Sequence, residues 1–434
     1  MNWNKIVALT GLLITTTMAS GQEATQKKDS IVAAKPEKKD PLFDVKFSGF
    51  IRHDAMYDSR QTVDVREAEV MLWPKDVSYD ENGEDRNAAP QFQMLDILSR
   101  VGVRVNGPDV LGAKICGFLE GDFFGNAEAG INEFRLRHAW ITLDWEETQL
   151  GIGQYWHPLT IPEIFPGVVN FSGGAPYMPY NRNPQIRLTQ KINDFNLILA
   201  VVSQRDFTAN TTPYRNSALP SGHVQMNYKT KDLIVGLAGH FEQIRPKLSS
   251  GDANNVSDER VNSVSVMAYT RVETKPVTIR AEAVYGENAA SFIMLGGYIG
   301  YTLPDQIETY TTMSTQSYWI DFAGKTKKII PGFFAGFSKN EGGKDVISSA
   351  GVKAKSYGFA SAVGGIGAGT GARTINYIYR LAPRVEMPFK KLKFGLELEY
   401  SVAEWGDADN SGRAVANLDL VHNTRVLFST TYTF

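Results

Sequence analysis

Charged side chains recur at even spacings along this chain. Arg52 precedes Asp54, Arg100 precedes Arg104, Glu120 precedes Asp122, Arg135 precedes Arg137, Arg280 precedes Glu282, and Glu397 precedes Glu399. In an extended chain, residues two or four apart point to the same side. A wall bearing Arg and Lys attracts anions. The other use of such a wall is internal pairing of each guanidinium with a neighbouring carboxylate, which leaves no net selectivity. The residues that share this phase are Arg52, Arg100, Arg104, Arg135, Arg137, Arg187, Arg280 and Arg425, with Lys46, Lys114 and Lys393. The acids are Asp54, Glu120, Asp122, Glu282, Glu397 and Glu399.

Other chemistry finds little support. One cysteine, Cys116, excludes an internal disulfide and any multi-cysteine metal site, and it reads as a quiet strand residue. The six histidines do not cluster along the sequence, and none lies near a serine in the spacing a barrel lipase needs. GKT at 324–326 resembles the end of a phosphate loop, but Trp319 stands where its first glycine belongs. GGIGAGTG at 364–371 has no strand-then-helix setting. DADNSG at 407–412 copies the start of a calcium loop, but Leu418 occupies the bidentate Glu position. The expectation is therefore no catalytic residue, no metal and no cofactor. A formal net charge of −2 over 434 residues gives no bulk argument for nucleic acid.

The elements that must position these charges are strands. In VKFSGFIRHDA (45–55), Val45, Phe47, Ile51 and Ala55 oppose Lys46, Ser48, Arg52 and Asp54. The same alternation runs through LSRVGVRVN (98–106) and KFGLELEYSV (393–402), and strands of this kind are expected near 113–124, 133–145, 148–157, 184–193, 195–206, 221–230, 232–244, 260–273, 276–288, 314–323, 328–338, 371–387 and 417–434. Short polar turns (106–112, 145–148, 192–194, 229–232, 273–276, 324–328, 387–391) alternate with long segments (57–95, 156–184, 207–220, 245–259, 289–313, 339–370, 405–416), and only 125–132 is a shorter long-side connection. This predicts an all-β, antiparallel, up-and-down transmembrane barrel of about sixteen strands, both termini on the short-turn side. A soluble sandwich gives no reason for that alternation, and its strands run to about 5–6 residues. An arginine facing lipid at mid-membrane costs about 2–4 kcal/mol, so the charged face must look inward. In FRLRHAWITLDW (134–145) the arginines share parity with Ala139, Ile141 and Leu143. Either the inner face turns apolar there or a bulge switches the phase.

The ends fit a secreted membrane protein. Lys5, the apolar Ile6–Met18 and the small residues Ala19-Ser20-Gly21 form a signal peptide over 1–21. Residues 22–43 are polar, Lys- and Pro-rich, and read as a flexible periplasmic segment before a barrel over 44–434. The chain ends VLFSTTYTF, with Val426, Phe428, Tyr432 and Phe434 on one face and Arg425, Leu427 and Ser429 on the other. This last strand is expected to close the barrel against the first, to place Tyr432 and Phe434 in an aromatic girdle, and to address the barrel-assembly machinery. The expected surroundings are a lipid bilayer and lipopolysaccharide in a bacterial outer membrane, with acidic turns such as DENGED (80–85) sharing divalent cations with the latter. WHPLTIPEIFPGVVNFSGGAPYMPYNRNP (156–184) is rich in Pro, Gly and aromatics and low in charge. The expectation is that it folds inward and narrows a pore, with Tyr177, Tyr180 and Arg182 at the constriction; a capping loop or a subunit contact is the alternative.

Four stretches resemble the DcaP-like porins, relatives of the phosphate-selective porins: FSGFIRHDAMYDSR (47–60), FRLRHAWITLDWEETQLGIGQYWHPL (134–159), NPQIRLTQ (183–190) and YRLAPRVEMPFKKLKFGLELEYSVAEWG (379–406). R-x-R-H-A-W followed by G-x-G-Q-x-W is the most specific part. The resemblance implies a sixteen-stranded homotrimeric porin passing small dicarboxylates or other organic anions by passive diffusion. Segment 22–42 is shorter than the periplasmic segment of members with an N-terminal coiled coil. The other classes open to such a barrel are a plugged adhesin or structural protein and an outer-membrane hydrolase.

Overall fold

In the computed structural model, residues 42–203 and 211–434 are described; the signal-peptide assignment and most of the 22–43 segment lie outside them. The barrel strands are β1 (Asp44–Asp58), β2 (Gln91–Leu95 continued by Arg100–Asn106), β3 (Lys114–Asp122), β4 (Arg135–Asp144), β5 (Thr148–Trp156), β6 (Arg182–Ile192), β7 (Phe195–Val202) and β8 (Ser221–Lys229). They continue as β9 (Leu233–Ile244), β10 (Val261–Glu273), β11 (Val277–Glu287), β12 (Glu308–Gly324), β13 (Ile330–Gly343), β14 (Arg373–Phe389), β15 (Leu392–Ala408) and β16 (Ala414–Thr433). Each pairs antiparallel with the next. β16 returns to β1 in register from Phe50↔Thr433 to Asp58↔Arg425, so the sheet closes and has no edge.

The phase is the one the alternation dictates. Phe47, Ile51, Leu119, Leu136, Ile186, Leu237, Leu396 and Phe428 are exposed on the outer surface, where hydrocarbon takes the place of water. Arg425, Leu427 and Ser429 are buried inside, while Val426, Tyr432 and Phe434 look out. The Phe434 amide donates to Gly49 O at 3.1 Å, which ties down the last residue.

The ambiguous stretch on β4 contains a bulge. Gly121 faces Leu136 and Glu120 faces His138, which leaves Arg137 as the extra residue. Arg135, Arg137 and His138 therefore all point inward, and the apolar Ala139, Ile141 and Leu143 turn out. β2 is interrupted at 96–99 by a turn in which the Ser99 amide donates to Asp96 O. This drives Ile97 and Leu98 inward, where both are buried. β15 and β16 run further than expected and leave only 409–413 as their connection. Arg373 holds that extension by bonding Asp407 at 3.1 Å, Asp419 at 2.6 Å and, across the barrel mouth, Asp76 at 2.7 Å.

Two long-loop segments turn into the barrel. One is a hairpin of Thr62–Val65 with Val70–Pro74. Its tip, Arg66-Glu67-Ala68, is left-handed at all three positions. The other is segment 157–181. Together with 289–302 and 359–375 they build an apolar core inside the barrel that includes Leu72, Trp73, Tyr177, Met178, Leu295, Ile299, Ile366 and Ile378. A wall of both signs makes for a wet lumen, but part of this one is dry, because these loops carry enough apolar surface to fill it.

Candidate pore and its inserted loop

Segment 157–181 reaches across the barrel. Its first limb lays Leu159, Ile161 and Ile164 on Ile234, Ala238, Met267 and Val284 of β9–β11. Its second limb is held on the opposite wall through its backbone. Gly167 N donates to Asp321 at 2.9 Å. Val169 N and Asn170 N donate to the two oxygens of Glu397 at 2.7 and 3.2 Å. Asn170 Nδ2 donates to Glu399 at 2.6 Å. Arg52 of β1 donates to Val169 O at 2.6 Å, and Ser317 of β12 to Tyr177 O at 2.8 Å. A proline- and glycine-rich loop has few internal amide bonds, so inward charges on distant strands satisfy its backbone instead.

The hairpin 62–74 is held in the same manner. Arg380 donates to Met71 O at 2.9 Å and Leu72 O at 3.2 Å. Trp405 donates to Pro74 O at 3.2 Å. The sequence reading placed 57–95 outside. Its signal was the run Val70-Met71-Leu72-Trp73, an apolar stretch that a solvent-washed loop has no use for.

The expected wall residues all lie on the inner side of the strands, and most are paired. Arg52 bonds Asp54 at 2.6 Å, and Arg425 bonds Asp58 at 2.8 Å. Arg280 and Arg384 share Asp321 at 3.3 and 2.7 Å. Arg135 and Arg137 share Asp122 at 2.7 and 2.9 Å, and Arg137 also bonds Glu120 at 2.7 Å. Arg100 stands 3.6 Å from Glu120. Among the described residues Arg187 bonds neutral acceptors, Trp156 O at 2.6 Å and Gln185 Oε1 at 2.7 Å. Arg104 lies on the Phe118 ring, 3.2 Å from Cys116 Sγ, and is exposed toward the short-turn end, as is Lys114. Lys46 and Lys393 pair with Asp44 and Glu386 at the same rim. Glu282 is buried on β11 between its cross-strand neighbours Tyr269 and Trp319.

Of the loop residues, Tyr177 is 1% exposed and packs on Phe334, with Arg380 above its ring at 5.5 Å. Tyr180 is buried where the loop rejoins the wall, beside Arg182, which lies 4.9 Å over Trp156. Burial alone would raise the Tyr180 phenol, but the guanidiniums of Arg182, Arg137, Arg100 and Arg135 outweigh it and pull it below its ordinary value.

The R-x-R-H-A-W and G-x-G-Q-x-W motifs form one cross-strand unit. Trp140 stacks on Tyr155 at 5.2 Å and lies over Gly151, where an added Cβ would meet its ring at 1.9 Å. Gly153 has φ +121, and an added Cβ would meet Ala139 O at 2.1 Å. His138 packs on Tyr155 and Trp156. Three histidines remote in sequence also meet: His157 lies 4.6 Å from His240 and 6.2 Å from His223, and the latter two are 6.0 Å apart. The sequence reading found no histidine cluster, because strand pairing rather than spacing brings these together.

A structure of the outer membrane channel DcaP of Acinetobacter baumannii superposes with a TM-score of 0.63 at 16% identity, covering 92% of this chain and 99% of that one. An anion-selective porin from Comamonas acidovorans gives a TM-score of 0.53 at 10% identity over 90% of this chain and all of that one. OmpF of Salmonella typhi in complex with daunomycin gives 0.51 at 12% identity, covering 90% and 97%. These likenesses concern the fold. A comparison with curated proteins finds no match. The family described as DcaP outer membrane protein matches residues 12–272, more than half of the chain. The chain belongs to the DcaP outer membrane protein family and is a porin of the bacterial outer membrane.

Proposed function

We propose that this porin passes small hydrophilic solutes by passive diffusion, with a preference for organic anions such as dicarboxylates, and that it works as a homotrimer. The observation that carries the preference is the wall of β2–β6. Arg104, Lys114 and Arg187 bear no carboxylate partner there among the described residues. An anion leaving the constriction meets these cations in turn, and the ion pairs elsewhere on the wall cancel locally. Segment 157–181 serves as the constriction, and the buried Tyr177, Tyr180 and Arg182 hold it in place. Residues 1–21 act as the signal peptide, Phe434 serves the assembly machinery, and the long loops face lipopolysaccharide.

Planar-bilayer recording of the refolded mature protein tests this. Conductance steps in threes, reversing toward the anion potential under a salt gradient, are the expected result. Steps without preference would remove the anion reading. The dry core formed by the hairpin 62–74 and segment 157–181 favours a second reading, a plugged barrel. A folded protein that gives no steps would establish that reading in place of the first.

A further inference from the structure

The cluster of His157, His223 and His240 sits where segment 157–181 leaves the wall. His157 N donates to Asn181 O at 3.0 Å, and Thr160 N donates to His157 O at 2.7 Å. Asn181 N donates to Thr160 Oγ1 at 3.0 Å, and Asn181 Nδ2 reaches Ser291 O at 2.8 Å. The root of the loop is therefore fastened at this one point.

The three imidazoles are buried, and Phe292 closes over His157 and His240. Leu159 N donates to His157 Nδ1 at 3.1 Å, so that ring is neutral with its proton on Nε2. A second proton can go only to Nδ1 and must break this bond. His223 and His240 each keep a buried Nδ1 with no hydrogen bond. The described groups that face the cluster are few. Arg187 of β6 is cationic. Glu242 of β9 accepts from Asn288 at 2.7 Å. Gln225 of β8 bonds His223 at 3.2 Å, and Ala200 of β7 and Ser265 of β10 are the cross-strand neighbours of His223 and His240. A charge on any ring would stand in a dry space beside two more imidazoles and a guanidinium.

We propose that His157, His223 and His240 form a proton-operated catch on the inserted loop: acid unfastens the limb 157–165 and changes the open state of the channel. The proposal rests on the porin reading for its effect on conduction, and on the geometry of the cluster for the catch itself. Burial, His240, His223 and Arg187 all hold His157 well below the ordinary histidine value. The sign follows. An imidazole released to water titrates near about 6.5, so the fastened state is at full strength above that pH. Below it, each histidine that gains a proton on release lowers the ratio of fastened to released loop by up to about tenfold per pH unit.

Two measurements on the refolded full-length mature porin test this. Single channels are recorded at about pH 7.5 and about pH 5. Deuterium exchange of amides 158–165 is measured at both values, corrected for the intrinsic rate and referred to strand amides. The wild type is expected to be steady at the higher pH, to switch between levels at the lower one, and to lose protection in 158–165 only there. A His157→Gln/His223→Gln/His240→Gln variant should lose both acid effects; if it does not fold, His240→Gln alone should weaken them. Unchanged exchange in the wild type on acidification, or the same acid response in a folded triple variant, would overturn the catch. Acid-dependent exchange in a barrel that never conducts would keep the catch and reject the porin reading.

Discussion

Replacement of Glu397 tests how the loop is seated. Its carboxylate accepts two loop amides, Val169 N and Asn170 N, in a buried site. A hydrogen bond contributes about 0.5–1.5 kcal/mol and more where the acceptor is charged, and an amide left buried without a partner costs about 1–3 kcal/mol. Opposing this, Glu399 lies on the same face two residues on, so removing one carboxylate relieves a repulsion. Asn170 also keeps its own bond to Glu399. A net loss near the low end, about 3 kcal/mol, is expected for Glu397→Ala, which is about two decades in the ratio of seated to lifted second limb. Glu397→Gln retains one acceptor and should lose about half of that free energy. The assay is amide exchange of 167–171, with 159–164 as the internal reference because that limb rests on an apolar contact the substitution does not touch. Channel noise should rise in parallel. Unchanged protection of 167–171, or equal loss across both limbs and the strands, would refute the claim that inward carboxylates hold this limb.

Three further outcomes follow from other parts of the barrel. Glu69, at the tip of the inserted hairpin, is pushed up to about 8 from 4.5 by burial and by Asp54, with Arg52 and Arg425 opposing. The seated hairpin thus holds a proton that a free one releases, and seating weakens as pH rises from about 4.5 toward 8. Glu69→Gln should abolish that dependence, as read by exchange of 62–74. Arg104→Glu combined with Lys114→Glu places two acids where two unpaired cations stand, and should move the reversal potential toward the cation side without changing the heat-resistant folded band on gels. Gly153→Ala forces a side chain onto φ +121 against Ala139 O, costs about 1–3 kcal/mol from the backbone alone, and should lower the urea midpoint of the refolded barrel.

The barrel was legible because its signals are local. Period-two alternation fixed which face each strand shows, and the spacing of turns fixed their number and sense. Where a strand departs from strict alternation, the sequence left alternatives, as at Arg137, whose bulge depends on what Glu120 and Asp122 accept across the pair. The interior was less legible. Wall charges could be assigned to the inner face one by one, but their partners are non-local: Arg384 finds Asp321 two strands away once β12–β14 have paired, and Arg425 finds Asp58 only once the cylinder has closed. The histidine cluster was invisible for the same reason. The hairpin at 62–74 has its apolar run in plain view, but inward folding is expected of 156–184 alone among the long connections.

Segment 157–181 belongs to the third hairpin of the barrel, but Glu397 and Glu399, which receive Val169 and Asn170, belong to the last. Val169 and its acceptor Glu397 are 228 positions apart. In whatever order the strands enter the membrane, Val169 and Asn170 have no seat until β5, β6 and β15 stand in one wall. Until then the backbone donors of Val169 and Asn170 have only water or provisional partners, and the half-built cylinder is wider and wetter than the finished one. The lumen therefore acquires its final shape in the closing step of assembly, together with the sealing of β16 to β1, so an intermediate stalled before that step is a leak across the membrane rather than an unfinished wall.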